Sequence, residues 1–102
     1  MKKFTLYVGL NDQTTKNQEI TTLDAYKVAT NIFVQHTGGA TIYESKGVYT
    51  HNDGTIVVEN TLVCIVFSDD QEAIKKAASA LKVAFNQEAI AIESTETNSI
   101  FF

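Results

Sequence analysis

Residues 61–67 read Thr61-Leu62-Val63-Cys64-Ile65-Val66-Phe67, apolar on both alternating faces, which is the composition of a strand whose sheet is covered on both sides. In a chain of 102 residues one cover is the chain's own helices, and the other is open to a partner. Upstream, Phe4, Leu6, Val8 and Leu10 alternate with Thr5, Tyr7 and Gly9, the period of a strand that buries one face. Asn11 to Glu19 is polar and without periodicity, a loop. Thr21 followed by Asp24, or Thr22 before Leu23, offers a helix N-cap, with Ile20 placed to staple one turn inside. Ala25, Val28, Ala29, Ile32, Phe33 and His36 then share one helical stripe up to Gly38-Gly39, which supplies the left-handed closing residue.

The second half repeats the pattern. Ala40 to Tyr49 reads as an edge strand interrupted at Ser45-Lys46-Gly47, where a bulge would fit. His51-Asn52-Asp53-Gly54 is turn chemistry and joins it as a hairpin to a long strand from about Thr55 to Phe67. Ser68 with Gln71, or Asp69 with Glu72, caps a second helix with Ile74, Ala77, Ala78, Leu81 and Phe85 on its buried stripe. Ala89 to Glu93 is the last strand. The order β-α-β-β-α-β with right-handed crossovers gives an α+β, ferredoxin-like domain over residues 1–102, a four-stranded antiparallel sheet with both helices on one face and strands one and three central. Phe4, Leu6, Val8, Leu10, Ile42, Ile90 and Ile92 then face the helices. Tyr7, Tyr43, Ala89, Ala91 and one apolar row of strand three face away, and a greasy face of that kind marks an interface.

Composition narrows the function. Eight lysines without arginine and a net charge of -4 argue against binding a phosphate backbone, which needs clustered cations. Nucleic acid is not an expected ligand. The single cysteine, Cys64, excludes an intrachain disulfide and reads as a buried small hydrophobe. The apolar run Leu62 to Phe67 is far short of the roughly 20 residues of a membrane helix, so no membrane contact is expected. Met1-Lys2-Lys3 and the apolar residues after it lack a small-residue cleavage pattern. The expected compartment is the cytoplasm.

Catalytic motifs are sparse. His36 reads as a helix-end residue that complements the dipole and His51 as a solvated turn residue; neither has a second ligand at metal spacing. No serine has a nucleophile-elbow context. Gly38-Gly39 ends a helix instead of opening one, so it lacks the amides that cradle phosphate. Glu59, between Val58 and Asn60 where the apolar strand begins, is the one carboxylate placed for partial desolvation and so for acid or base work; an edge-paired glutamate is its commoner meaning. Tyr7, Tyr43 and Tyr49 suit packing or interface anchoring. Ile100, Phe101 and Phe102 end the chain and are expected to dock on this molecule or a neighbour.

The segments Leu6-Tyr7-Val8-Gly9-Leu10, Gly47-Val48-Tyr49, Glu59-Asn60 and Phe85-Asn86-Gln87-Glu88-Ala89-Ile90 resemble a family of small uncharacterised ferredoxin-like domains of bacteria and their phages and mobile elements. Tyr49 stands where that family tends to have tryptophan, and Asn60 where it tends to have serine. The resemblance implies the fold and carries no activity with it.

Two classes of function fit these readings. In the first, the chain is a non-enzymatic binding protein, a phage or mobile-element accessory that binds or inhibits a host defence protein through its open sheet face or edge. Its partner contacts would be Tyr7, Tyr43, Tyr49, Glu59, Phe101 and Phe102, with no catalytic residue, cofactor or metal. In the second, two copies pack sheet to sheet as a dimeric α+β barrel enclosing a pocket, where Glu59, Tyr7 or His51 holds or acts on a small molecule. The lack of a convergent polar cluster favours the first class, and the expectation is a homodimer without catalytic turnover.

Overall fold

A computed structural model describes residues 1–50 and 52–102; the turn expected at His51 lies in part outside the described residues. The chain runs β1 (Lys2–Gly9), α1 (Thr22–Thr37), β2 (Thr41–Thr50), β3 (Ile56–Ser68), α2 (Gln71–Ala84) and β4 (Ala91–Glu96). The sheet order is β2-β3-β1-β4, and every pairing is antiparallel. This is the ferredoxin-like arrangement, with the two-sided apolar strand β3 and the alternating strand β1 at the centre.

The pleat sorts side chains as the period requires. Phe4, Leu6, Val8, Leu62, Cys64 and Val66 point to the helix layer and meet Ala25, Ala29, Phe33, Ile74, Ala77, Ala78, Leu81 and Phe85 in one buried core. Val28, Ile32, Ile42 and Ile90 pack at its margin. Burial pushes the Cys64 thiol up to about 12, so at neutral pH it is neither a nucleophile nor a ligand. No helix among the described residues is long and apolar enough to cross a membrane.

The helix ends follow local chemistry. Thr21 Oγ1 accepts the Asp24 N–H at 3.2 Å, and α1 closes at Gly38 with φ 80°, a conformation that L side chains resist. At α2 the cap falls on Asp70, whose Oδ1 accepts the Ala73 N–H at 3.0 Å. The expected Ser68 or Asp69 cap is corrected, because β3 extends through Ser68 and the Ser68 hydroxyl accepts the Asp70 N–H at 2.9 Å instead.

Two strand readings are also corrected. The bulge expected at Ser45-Lys46-Gly47 is absent: the β2 register against β3 runs unbroken from Thr41 opposite Ile65 to Thr50 opposite Ile56. Gly47 serves close approach there, since a Cβ would lie 3.0 Å from Thr61 Oγ1. The last strand begins at Ala91, not Ala89, because β1 offers partners only from Tyr7, opposite Ala91, back to Lys2, opposite Glu96.

The outer sheet face differs from a bare greasy surface. Val63 points away from the helices yet is 5 % exposed, since Tyr7 on β1 and Tyr43 on β2 are its direct cross-strand partners and their rings shield it. Cross-strand aromatic and β-branched pairs of this kind contribute about 0.2–1 kcal/mol each. Part of the apolar row in β3 is thus covered by neighbouring strands without any partner. The remainder, with Tyr7, Tyr43 and Phe67 all more than 40 % exposed, stays open.

Candidate functional site

The site forms where the sheet narrows. β1 ends at Gly9, opposite Thr61, while β2 and β3 continue as a two-stranded ribbon. The Leu10 N–H still donates to the Asn60 carbonyl at 3.0 Å, and the chain then turns across the end of the sheet. Glu59 stands at this step on the outer face, and its Oε2 accepts the Asn11 N–H at 3.1 Å.

Two glycines make room for that carboxylate. A Cβ on Gly9 would lie 2.5 Å from Glu59 Oε1 and 2.7 Å from its Cδ, distances no real Cβ reaches. Gly47 is the direct cross-strand partner of Glu59, and a Cβ there would come within 3.7 Å of Glu59 Cγ. Missing side chains on both flanking strands therefore leave a trough across the sheet with Glu59 lying in it. A glycine inside a strand commonly marks such a close approach.

The wall is a loop that is polar but well ordered by its own hydrogen bonds. Asp12 Oδ1 accepts the N–H groups of Thr14 at 2.8 Å and Thr15 at 3.0 Å, an Asx turn, and also Asn86 Nδ2 at 3.0 Å. These donors, the Thr15 N–H foremost, then Asn86 and the Thr14 N–H, hold the Asp12 carboxyl below the usual carboxylate range. Gln87 Nε2 donates to the Asn11 carbonyl at 2.6 Å, tying the end of α2 to the same loop. On the helix side of β3, Asn60 Nδ2 donates to Gln18 Oε1 at 2.7 Å. Asn60, at the position where the resembling family tends to have serine, thus fastens the far end of the loop.

Two adjoining depressions result. One, about 360 Å³, lies between Asp12, Gln13 and Lys16 of the loop, Tyr49 and Val57 of the ribbon, and Glu88. The other, about 500 Å³, runs along the outer face past Tyr7, Gly9, Gly47, Thr61 and Val63. Glu59, Gln87 and Ala89 line both, so Glu59 sits at their junction. Volumes of this order suit small-molecule ligands.

The structure brings Glu59 together with Tyr49 in the first depression and with Tyr7 in the second. The Tyr7 hydroxyl donates to Glu93 Oε1 at 2.5 Å, and that bond, with some desolvation, raises its phenol. Tyr43 stays on the outer face beside Val63. Phe101 lies at the opposite end, edge-to-face on Phe67 with ring centroids 5.8 Å apart, while Ile100 and Phe102 remain exposed. His36 is half-buried on α1, and His51 lies outside the described residues. No group of three or more metal-ligating side chains occurs among the described residues. Sequence reasoning missed Gly9, Gly47, Lys16 and Gln87 as parts of a site. Two glycines inside strands flanking the one partly desolvated carboxylate were the available signal.

Residues 3–101 match the family described as protein of unknown function DUF3574, and the chain belongs to that family. No curated protein matches the chain. Among solved structures it is similar to a phage SAM lyase in complex with S-methyl-5'-thioadenosine, with 24 % identity, TM-score 0.71, and coverage of 93 % of this chain and 80 % of that one. The same description in the apo state gives 25 % identity, TM-score 0.65 and coverage of 92 % and 78 %. The divalent ion tolerance protein CutA1 from Ehrlichia chaffeensis shares the fold at 17 % identity and TM-score 0.58, covering 96 % of this chain and 83 % of its own. These comparisons correct one expectation. The absence of catalytic motifs was read as absence of turnover, yet a lyase stands on this fold at 25 % identity over most of the chain. Missing nucleophile, metal and phosphate motifs therefore do not argue against catalysis here.

Proposed function

We propose that this chain binds an adenosyl sulfonium of the S-adenosylmethionine class in the trough at Glu59 and releases S-methyl-5'-thioadenosine from it. The observation that carries the reading is Glu59 itself, half-buried, fixed through one oxygen by the Asn11 N–H and given its space by Gly9 and Gly47. A carboxylate held this way attracts a cationic ligand. Tyr49, Val57 and Ala89 add an apolar wall on which a flat base can lie. The likeness to a lyase that holds S-methyl-5'-thioadenosine supports the choice of ligand.

Release of that product breaks the bond between sulfur and the γ-carbon of the amino-acid chain, with sulfur keeping the electron pair and losing its positive charge. An oxygen of the ligand's own α-carboxylate bonds to that carbon and closes a cyclic ester that keeps the ammonium, so no co-reactant is needed. A carboxylate against the sulfonium would stabilise the substrate more than the transition state and slow the reaction. The productive place for Glu59 is therefore the ligand's ammonium. Incubating the purified protein with S-adenosylmethionine and separating the products by chromatography tests the reading. Thioadenosine should accumulate with the wild type, and Glu59→Gln should lower the rate at least about tenfold, the cost of losing one charge-assisted contact. Neither turnover nor binding by calorimetry in a folded wild type would overturn it and favour docking of a host protein on the sheet face.

The same reading includes a second copy of the chain over the outer face, in the cytoplasm. Both depressions open on the side away from the helices, where Tyr7, Tyr43 and Phe67 are exposed. Covering them excludes water from the trough and removes apolar area worth about 25 cal/mol per Å². Light scattering at micromolar concentration should give at least a dimer, and Tyr43→Glu should shift it to monomer. A wild type that scatters as a monomer under these conditions rules the second copy out.

A further inference from the structure

The 360 Å³ depression holds an imbalance of charge. Three carboxylates line it, Asp12, Glu59 and Glu88, against one ammonium among its described residues, Lys16. Among the described residues Lys16 forms no ion pair within 4.0 Å with any of them, and its charge acts on Asp12 only as the weakest of the causes that lower that carboxyl. Its ammonium instead donates to the Gln13 carbonyl at 2.6 Å, which uses one of three donors and leaves two. The backbone there is unusual, with φ 65° at a lysine, a left-handed conformation uncommon for such a residue. It is closed by the Lys16 N–H donating to the Asp12 carbonyl at 2.8 Å. The loop thus holds an ammonium at the rim of an acidic cleft by a carbonyl and not by an ion pair.

Within this depression Lys16 is the one cation among the described residues for an anionic group to meet; Lys46, which lines the adjoining depression, already donates to Asn60 Oδ1. A ligand with a cationic group is drawn to Glu59. We infer that Lys16 and Glu59 form a clamp for the α-amino-acid end of the ligand, Lys16 holding its carboxylate and Glu59 its ammonium, so that the site sorts ligands by that end and not by the charge on sulfur. The clamp rests on the reading of the trough as an adenosyl-ligand site and adds what part of the ligand it recognises. Lys16 is a specificity residue in this scheme. The product, which has lost the amino-acid end, no longer engages either arm and is free to leave.

Three ligands separate the possibilities by calorimetry: S-adenosylmethionine, S-adenosylhomocysteine, which keeps the amino-acid end on a neutral sulfur, and S-methyl-5'-thioadenosine, which lacks that end. The wild type should bind the first two with similar affinity and the third about tenfold more weakly. Lys16→Gln should weaken the first two about tenfold and leave the third unchanged, and Lys16→Arg should restore most of the loss. Unchanged thioadenosine binding also shows that the variant is folded. Equal wild-type affinity for all three, or an equal loss for all three in Lys16→Gln, overturns the clamp while the adenosyl site stands. A wild type that prefers S-adenosylmethionine alone shows that sulfur charge is read, and also overturns it. Binding of none of the three overturns the clamp together with the reading it rests on.

Discussion

Replacing Gly9 with alanine should weaken ligand binding and lower turnover to the same degree as Glu59→Gln, at least about tenfold, while leaving the protein folded. The added Cβ would fall 2.5 Å from Glu59 Oε1, so something must move. The atom it strikes is the end of a flexible side chain, and the cheapest response is for Glu59 to swing out of the trough and give up the Asn11 N–H. Losing one such hydrogen bond costs on the order of 1 kcal/mol. Alanine also restricts the unfolded chain and returns roughly 0.4–1 kcal/mol at a position whose backbone tolerates it. The two terms nearly cancel, so the melting temperature should stay near that of the wild type. The binding term has no such compensation, because the carboxylate is no longer where the ligand's cation lies. Calorimetry beside a melting curve decides the matter: full affinity in a folded Gly9→Ala would mean that Glu59 does not hold the ligand.

That coupling shows why the sequence reveals the fold more readily than the site. The fold follows from periodicity: alternation in Phe4, Leu6 and Val8, the helical stripe of Ala25, Ala29 and Phe33, and the two-sided apolar run of β3 each constrain one face at a time. Their combination leaves one strand order. Its failures are local, where side chain and backbone compete over a residue or two, as at the Asp70 cap and the start of β4.

The site depends on what lies between strands distant in sequence. Gly9 and Gly47 mean little until the register sets them beside Glu59, and register is a property of pairing across the whole sheet. The loop from Asn11 to Glu19 reads as formless because it has no period, yet Asp12 orders it by accepting three donors. One of them comes from Asn86, 74 residues away. Glu59 was visible as an unusual carboxylate. What surrounds it was not.

The two faces of β1 should respond in opposite ways to substitution, with a large loss of stability on one and little change on the other. Leu6 is fully buried in the helix-side core, opposite Cys64 on one neighbour and Ile92 on the other. Truncation to alanine removes its transfer energy and leaves a cavity that central strands cannot collapse, a loss of about 2.7–5 kcal/mol. Domains of this size have roughly 5–15 kcal/mol in total, and each kcal/mol is worth about 4–8 °C. Leu6→Ala should therefore melt at least about 10 °C lower. Tyr7, the next residue, lies on the other side of the pleat, and its hydroxyl donates to Glu93. Tyr7→Phe keeps the ring over Val63 and should melt close to the wild type. A small shift in Leu6→Ala, or a large one in Tyr7→Phe, would mean that the core is not on the helix side. The contrast bears on function as well as folding, because a face that contributes little to stability is one whose residues can serve the trough, its ligand and a second copy without competing with the core.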